Sequence, residues 1–248
     1  MRSVGKAQQD YRRDGFAVVE GVFSAAECSA FAAELTRVMT HDDKTRPGDV
    51  HRVRSLSARQ RAGITRTQAG EDVFLIGDLP SYGALLRRAV ADKRIAALIR
   101  GVLGRQPRYH FSNLTHKAPH VGPRVGPHRD MLNRYMRMRP SHFCRTAICV
   151  DGMDARNGGM QFCAGSHRVG DAWMRANFRR KVSQRPKSVR CRPGAVVVFH
   201  PKVIHASLPN RSSAPQRNLV IQYGAAYQKL IASGTESWTG YALQDLRR

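Results

Sequence analysis

His128 and Asp130 are separated by one residue in the segment His128-Arg129-Asp130, a spacing that can bind a metal ion. Residues two apart on a strand point to the same side, so both side chains can face one ion. Two histidines and one carboxylate on one face of an octahedron leave three positions open, which is typical of non-haem Fe(II) oxygenases. The segment therefore predicts two of the three ligands of such a site.

The same spacing occurs a second time, in His41-Asp42-Asp43. This copy follows a helical pattern and lies in a polar stretch without strand character, so we assign it to the surface. His-x-Asp alone is a weak signal, and the first copy depends on its sequence context.

The context of His128 is an ordered set of downstream fragments. They are Asn157-Gly158, Gly165-Ser166-His167, Pro193-Gly194 with an apolar run ending at Phe199-His200, His205-Ala-Ser207-Leu-Pro-Asn210, and Arg217. The set resembles the phytanoyl-CoA dioxygenase family of iron- and 2-oxoglutarate-dependent oxygenases. The segment from Tyr11 to Ser24 also looks like the start of that family, so the resemblance spans about residues 10–225.

The resemblance implies a role for each matched residue. His128, Asp130 and His205 would hold Fe(II); the rival His200 lacks the Ser207–Asn210 tail that follows the family's last ligand. Iron, 2-oxoglutarate as co-substrate and O2 would be the cofactors.

The distal carboxylate of 2-oxoglutarate needs a fixed cation, and Arg217 can supply two parallel hydrogen bonds. Ser207 would add a hydrogen bond to the same carboxylate, and Asn113 is a further candidate for binding the cofactor. His167 is interpreted as a structural residue in a turn.

The chain departs from the family pattern at several positions. Ala164 stands where the family usually has Pro, Ala195 where it has an acidic residue, and Arg129 where it commonly has Gln. Arg217 follows His205 by twelve residues rather than eleven, which we interpret as a one-residue adjustment of the turn at Ser212–Pro215. None of these changes affects a predicted metal ligand.

The elements that must position these residues are helical first and short strands later. Ser24 and Glu27 form a capping box, and a helix follows with Cys28, Phe31, Leu35 and Val38 on one face. The other predicted elements are a strand within Tyr11–Glu20, a mobile loop at 41–66, a helix over Ala84–Leu103, and strands at Tyr109–Thr115, Arg145–Val150, Met160–Cys163, Ala195–His200 and Leu219–Tyr223.

This order predicts an α+β fold with a double-stranded β-helix (jelly-roll, cupin-like) core and N-terminal helices packed on one sheet. We expect one domain over 1–248, with a helical part to about 106, a jelly-roll core at about 107–225 and a C-terminal extension at 226–248. The length of 248 residues suits a single core.

Composition limits the classes of protein. The apolar runs are too short to span a membrane, and the five cysteines lack the spacing of a disulfide framework. We expect no secretory leader, because the first fifteen residues are mostly polar. We therefore expect a cytoplasmic enzyme without a membrane partner; its oligomeric state is not readable from the sequence.

The formal net charge is +24, with 42 basic residues against 18 acidic ones. Such an excess suits an anionic partner, although solvated surface arginines would give the same number. Two basic segments, Met131–Arg145 and Asp171–Arg192, would border the site. We predict contacts to an anionic small-molecule substrate from Arg129, Arg134, Arg137 and Gln161.

The resulting prediction is hydroxylation of an unactivated carbon of a small anionic metabolite, as in bacterial natural-product tailoring, with release of succinate and CO2. Halogenases of this type lack the carboxylate ligand, and Asp130 is present here. Desaturation or cyclisation, or the same chemistry on a nucleotide or nucleic acid, remain alternatives. Nucleic acid is not favoured, because aromatic residues do not interleave the basic runs. A non-catalytic jelly-roll binding protein is the third alternative.

Overall fold

A computed structural model of the chain describes residues 2–40, 50–52, 72–130, 143–183, 186–225 and 236–247. Its α-helices in these ranges are α1 (Arg2–Asp14), α2 (Ala25–Thr40), α3 (Ala84–Val90), α4 (Lys93–Leu103) and α5 (Asp171–Ser183). Its strands are β1 (Phe16–Val19), β2 (Val50–Arg52), β3 (Val73–Gly77), β4 (Pro107–Lys117), β5 (Val125–His128), β6 (Phe143–Cys149), β7 (Met160–Phe162), β8 (Lys187–Ser188), β9 (Ala195–Phe199), β10 (His205–Ser207) and β11 (Gln216–Ala225). None of the helices described is long and apolar enough to cross a membrane.

The described strands form two antiparallel sheets. The larger sheet has the order β1-β9-β6-β11-β4-β3-β2, and the smaller has the order β5-β10-β7-β8. The long pairing of β4 with β11 sets the frame of the larger sheet and places Lys117 opposite Gln216. Helices followed by antiparallel sheets agree with the predicted α+β class.

Two apolar clusters hold these layers together. On one face of the larger sheet, residues such as Leu114, Ile148 and Ile221 pack against Leu35 of α2 and Ile95 of α4. On the other face, Val197, Phe199 and Val220 pack with Phe162 of the smaller sheet. The larger sheet is therefore covered by helices on one side and by the second sheet on the other.

The N-terminal helices differ in part from expectation. The capping box is confirmed, because the Ser24 amide donates to Glu27 Oε2 over 2.7 Å and the Glu27 amide donates to Ser24 Oγ over 3.2 Å. The predicted strand within Tyr11–Glu20 is wrong in its first part, since residues up to Asp14 belong to α1. Ala7 and Tyr11, four residues apart, are buried on one side of that helix.

The predicted helix over Ala84–Leu103 is two helices. Asp92 interrupts it and caps α4, accepting a hydrogen bond from the Arg94 amide over 2.7 Å. The basic segment at Asp171–Arg192 contains α5 and β8. The predicted loop at 41–66 lies outside the described residues except for Val50–Arg52, which form β2, and β3 was not predicted.

Candidate active site

His128, Asp130 and His205 converge in the smaller sheet. His128 ends β5, His205 begins β10, and the two residues are directly paired across the antiparallel strands. One ligand atom from each of the three side chains lies within 4.8 Å of the others. The His128 Nε2–Asp130 Oδ1 and His205 Nε2–Asp130 Oδ2 separations are 3.7 and 3.8 Å. These distances are too long for hydrogen bonds between the three groups.

Both imidazoles are oriented by their own backbone. His128 Nδ1 donates to the carbonyl of Gly126 over 2.9 Å, and His205 Nδ1 donates to the carbonyl of Val203 over 3.1 Å. An Nδ1–H bound to a carbonyl leaves Nε2 as the electron-pair donor, as in metal-binding histidines. Both Nε2 atoms face the carboxylate of Asp130.

The carboxylate of Asp130 is held from one side and unsatisfied on the other. Arg145 on β6 donates from Nη1 to Asp130 Oδ1 over 3.0 Å. Asp130 Oδ2 is buried and has no hydrogen-bond partner among the described residues. A buried carboxylate oxygen without a partner is costly. A divalent cation between this oxygen and the two Nε2 atoms would remove that cost, so the donor set fits Fe(II).

The electrostatics keep the ligands in their metal-binding protonation states. Burial alone would raise the pKa of Asp130, but Arg145 and the two imidazoles outweigh it and lower that pKa below its usual value. Burial lowers the pKa of His205 to about 4. Asp130 is therefore ionised and His205 neutral at physiological pH.

The rival histidines lie elsewhere. His200 accepts a hydrogen bond from the Lys202 amide over 3.0 Å and packs against the rings of Tyr11 and His167. His167 hydrogen-bonds the carbonyl of Arg12 over 3.1 Å, which ties its turn to the end of α1. Both positions are structural, and the spacing argument selected the histidine that reaches Asp130.

A cavity of about 220 Å³ opens from the metal set into the space between the two sheets. One wall is the inward face of β4, where Asn113, Thr115 and Lys117 follow at every second position. The facing part of β11 contributes Gln216 and Asn218. Two residues of the metal set, His128 and His205, line the cavity at this end, together with Arg145 and Phe199.

The three residues predicted to bind 2-oxoglutarate are not all brought together. Ser207 and Asn113 line the cavity. Arg217 does not, because it follows the inward-facing Gln216 on a strand and so points to the opposite face of the sheet. The position eleven residues after His205 is Gln216, so the expected turn adjustment does not bring Arg217 inward.

Arg217 is instead committed to Asp151. Its Nε and Nη2 atoms donate to the two carboxylate oxygens over 2.9 and 2.7 Å. Its Nη1 also donates to the carbonyl of Ala32 in α2 over 3.1 Å. The bidentate pair fixes Arg217 to the segment after β6, and the Nη1 hydrogen bond joins β11 to the helical layer, away from the cavity.

Lys117 is the cation that sequence reasoning missed. The strand prediction ended at Thr115, two residues short, although Lys117 continues the alternation that begins at Asn113. Lys117 is only 3% exposed. Its ammonium donates to the Ser207 hydroxyl over 2.7 Å, to the carbonyl of Gly158 over 2.9 Å and to the carbonyl of Leu208.

The predicted substrate contacts are dispersed. Arg129 donates to the carbonyl of Lys202 over 2.6 Å and pairs with Asp171 at 3.3 Å, outside the cavity. Gln161 donates to Ser188 over 3.0 Å and lines a neighbouring depression rather than the cavity. Arg134 and Arg137 lie outside the described residues.

His128 also faces a second depression on its outer side. This depression is lined by Arg124 from the segment before β5 and by Phe178, Arg179 and Val182 from α5. The His128 side chain lines both this depression and the cavity and is 41% exposed. No acidic residue of the described part of the chain lines the depression. The basic segment therefore contributes Arg179 to the neighbourhood of the metal set.

Comparison with known proteins connects this geometry to a family. The sequence pattern of the phytanoyl-CoA dioxygenase family matches residues 11–218. The chain is 25% identical over 242 residues to an ectoine dioxygenase from Bordetella parapertussis, covering 88% of this chain and 74% of the relative.

Solved structures share the fold. EctD from S. alaskensis with bound Fe superposes with a TM-score of 0.75 at 20% identity, over 91% of this chain and 78% of that one. The epimerase SnoN, solved with Fe3+, alpha ketoglutarate and nogalamycin RO, superposes with a TM-score of 0.72 at 20% identity, over 91% and 84%. The jelly-roll expectation agrees with both. The family match over most of the chain, with the converged His128, Asp130 and His205, makes this protein a member of the phytanoyl-CoA dioxygenase family, an iron- and 2-oxoglutarate-dependent dioxygenase.

Proposed function

We propose that this enzyme hydroxylates a small anionic metabolite at an unactivated carbon, with iron held by His128, Asp130 and His205. The observation that carries the proposal is the buried, unpartnered Asp130 Oδ2 facing two oriented Nε2 atoms. Bound iron would supply the activation of O2 coupled to oxidation of 2-oxoglutarate to succinate and CO2. We take residues 1–248 as the single domain that carries this activity.

The chain's own groups would prepare the site for this chemistry. Arg145 keeps the Asp130 carboxylate ionised and fixed, while the rings of Phe162 and Phe199 pack beside His205 and exclude water from that side. Asp130 also keeps the third protein ligand position filled. Halogenases of this type lack this carboxylate ligand, so its presence here favours hydroxylation.

The depression beside His128 is the proposed approach of the substrate. Arg124 and Arg179 are exposed there, and the absence of acidic side chains among its described lining residues gives it a positive potential. A carboxylate or phosphate on the substrate would be attracted to these guanidinium groups. The relatives described above act on different compounds and do not identify a common substrate class. The proposed anionic class therefore rests on the charge of this depression.

The activity can be tested by 2-oxoglutarate consumption. Fe(II)-loaded enzyme should release succinate when it is screened against matched metabolites with and without a carboxylate or phosphate, and the anionic members should stimulate release. Asp130→Ala should abolish the release. Stimulation by neutral members alone would contradict an anionic substrate, and no release with intact iron binding would favour the non-catalytic alternative.

Charge reversal tests the approach route. Arg124→Glu and Arg179→Glu should each raise KM for an anionic substrate by about two- to fivefold at low ionic strength, and added salt should shrink the difference. Arg88→Glu is the matched control, because Arg88 is exposed on α3 and lines neither depression nor cavity at the metal set. Equal effects from all three variants would remove the depression from the proposal.

A further inference from the structure

The cavity ends in a buried cation that lacks an anionic partner. Lys117 lies on the inward face of β4, and each hydrogen bond of its ammonium is to a neutral group: the carbonyls of Gly158 and Leu208 and the hydroxyl of Ser207. No carboxylate lines the cavity in the described part of the chain. A buried ammonium without a counter-charge is costly to keep.

The lysine is built into the wall. A Cβ added at Gly122 would lie 2.4 Å from the Lys117 Cβ, and one added at Gly158 would lie 2.8 Å from its Cδ. Gly158 also has a φ of +91°, a conformation that side chains disfavour. Both glycines thus leave room for the lysine stem, and the ammonium is fixed at the wall that contains Ser207.

The position eleven residues after His205 carries no charge. Gln216 stands there, directly opposite Lys117 across the β4–β11 pair, and both side chains line the cavity. The neighbouring Arg217 is on the other face and already holds Asp151 in a bidentate pair. Lys117 therefore occupies the region of the cavity where a cation from β11 was expected.

We propose that Lys117, in place of Arg217, binds the distal carboxylate of 2-oxoglutarate. This inference rests on the 2-oxoglutarate dependence of the enzyme. The Ser207 hydroxyl, already within 2.7 Å of the ammonium, adds a second contact, and Asn113 and Thr115 line the cavity wall on the same face of β4. A cation fixed in the cavity wall at a set distance from the metal set also selects for the length of the 2-oxo acid.

Burial agrees with this role. It lowers the pKa of Lys117 to about 7 in the absence of a bound anion. The other ionisable groups that line the cavity are His128, His205 and Arg145, none of which is an anion. An incoming carboxylate would thus stabilise the protonated lysine and be held in a site of low dielectric constant.

The test compares two five-carbon acids that differ at one end. Calorimetry on the full-length protein loaded with Mn(II) should show 2-oxoglutarate binding about 10- to 100-fold more tightly than 2-oxopentanoate, which lacks the distal carboxylate. Lys117→Met should remove this preference by weakening 2-oxoglutarate and leaving 2-oxopentanoate unchanged. Lys117→Gln, which keeps a donor for the Gly158 carbonyl, should do the same with less risk to folding.

The controls separate binding from folding. Lys202→Met is the matched variant, because Lys202 pairs with Asp171 at 3.0 Å outside the cavity, and it should keep the full preference. Mn(II) affinity without any 2-oxo acid should be the same in all variants. A preference that survives in both Lys117 variants, or that is lost only in Arg217→Met, would overturn the proposal. Failure of the wild type to bind either acid would refute the 2-oxoglutarate dependence itself, a different result.

Discussion

The two ends of the cavity satisfy their charges in opposite ways. At the metal end, Asp130 is a buried anion with one oxygen paired to Arg145 and the other unpaired. At the lysine end, Lys117 is a buried cation surrounded by neutral acceptors. One end needs a cation and the other an anion, so the cavity is complementary to a metal ion with an elongated dicarboxylate attached.

The two ends also differ in how they are assembled. The metal end is made of residues that are near in sequence or directly paired, as are His128 and His205. The lysine end depends on which face of β4 and β11 each residue occupies, and one position separates the inward Gln216 from the outward Arg217. Short sequence motifs therefore determine the metal end. The lysine end is determined by the face of the sheet to which each side chain points.

The largest effect should come from removing a ligand at the metal end. His205→Ala should reduce Fe(II) or Mn(II) affinity by about 100-fold or more. The site then has only His128 and Asp130 as ligands, and it loses the paired histidine that fixes its geometry. Equilibrium dialysis with metal analysis measures this loss. His200→Ala, the matched control, should bind metal like the wild type. Equal losses in both variants would mean that His205 acts through folding.

Arg145 gives the next effect at the same end. Arg145→Met should lower metal affinity by about 10- to 100-fold, since Asp130 loses the group that orients it and keeps its pKa low. Arg145→Lys should recover part of the loss because it keeps the charge. Unchanged metal affinity in the Met variant would show that Asp130 needs no support from β6.

The lysine end should make cofactor binding depend on pH. The pKa of Lys117 is lowered to about 7 by burial, so above pH 7 the free enzyme must take up a proton to bind a distal carboxylate. The Kd of 2-oxoglutarate should therefore rise with pH between 7 and 9, by at most about tenfold per unit. Calorimetry in the Lys117→Met variant should give a flat profile. An equally steep profile in that variant would assign the titration to another group.

The effect at Arg217 should be on stability and not on the cofactor. Asp151→Asn weakens the bidentate pair that orients Arg217 for its hydrogen bond to α2, and should cost about 1–3 kcal/mol in the free energy of unfolding. Urea denaturation measures this cost. The affinity for 2-oxoglutarate should stay unchanged, and a parallel loss of that affinity would return Arg217 to the binding site.

The same contrast explains what could be predicted from the sequence. His128, Asp130 and His205 follow from spacing and an ordered set of motifs, and the capping box at Ser24 depends only on local chemistry. Lys117 and Gln216 could not be assigned in this way. Their positions in the cavity depend on the register of the long β4–β11 pairing and on which side chains point inward. The end of β4 was also predicted two residues too early. The helix at Arg2–Asp14 was missed because its polar sequence buries only a narrow face at Ala7 and Tyr11.

We propose that one cavity holds iron at His128, Asp130 and His205 and the far carboxylate of 2-oxoglutarate at Lys117. The most direct measurement is an anaerobic titration of the Fe(II)-loaded enzyme with 2-oxoglutarate, following the weak visible charge-transfer band of the complex. The wild type should develop the band, His128→Ala should not, and Lys117→Met should need about 10- to 100-fold more 2-oxoglutarate while Arg217→Met titrates like the wild type. If Lys117→Met needs no more 2-oxoglutarate than the wild type while Arg217→Met needs more, the distal carboxylate is bound by Arg217 and not by Lys117.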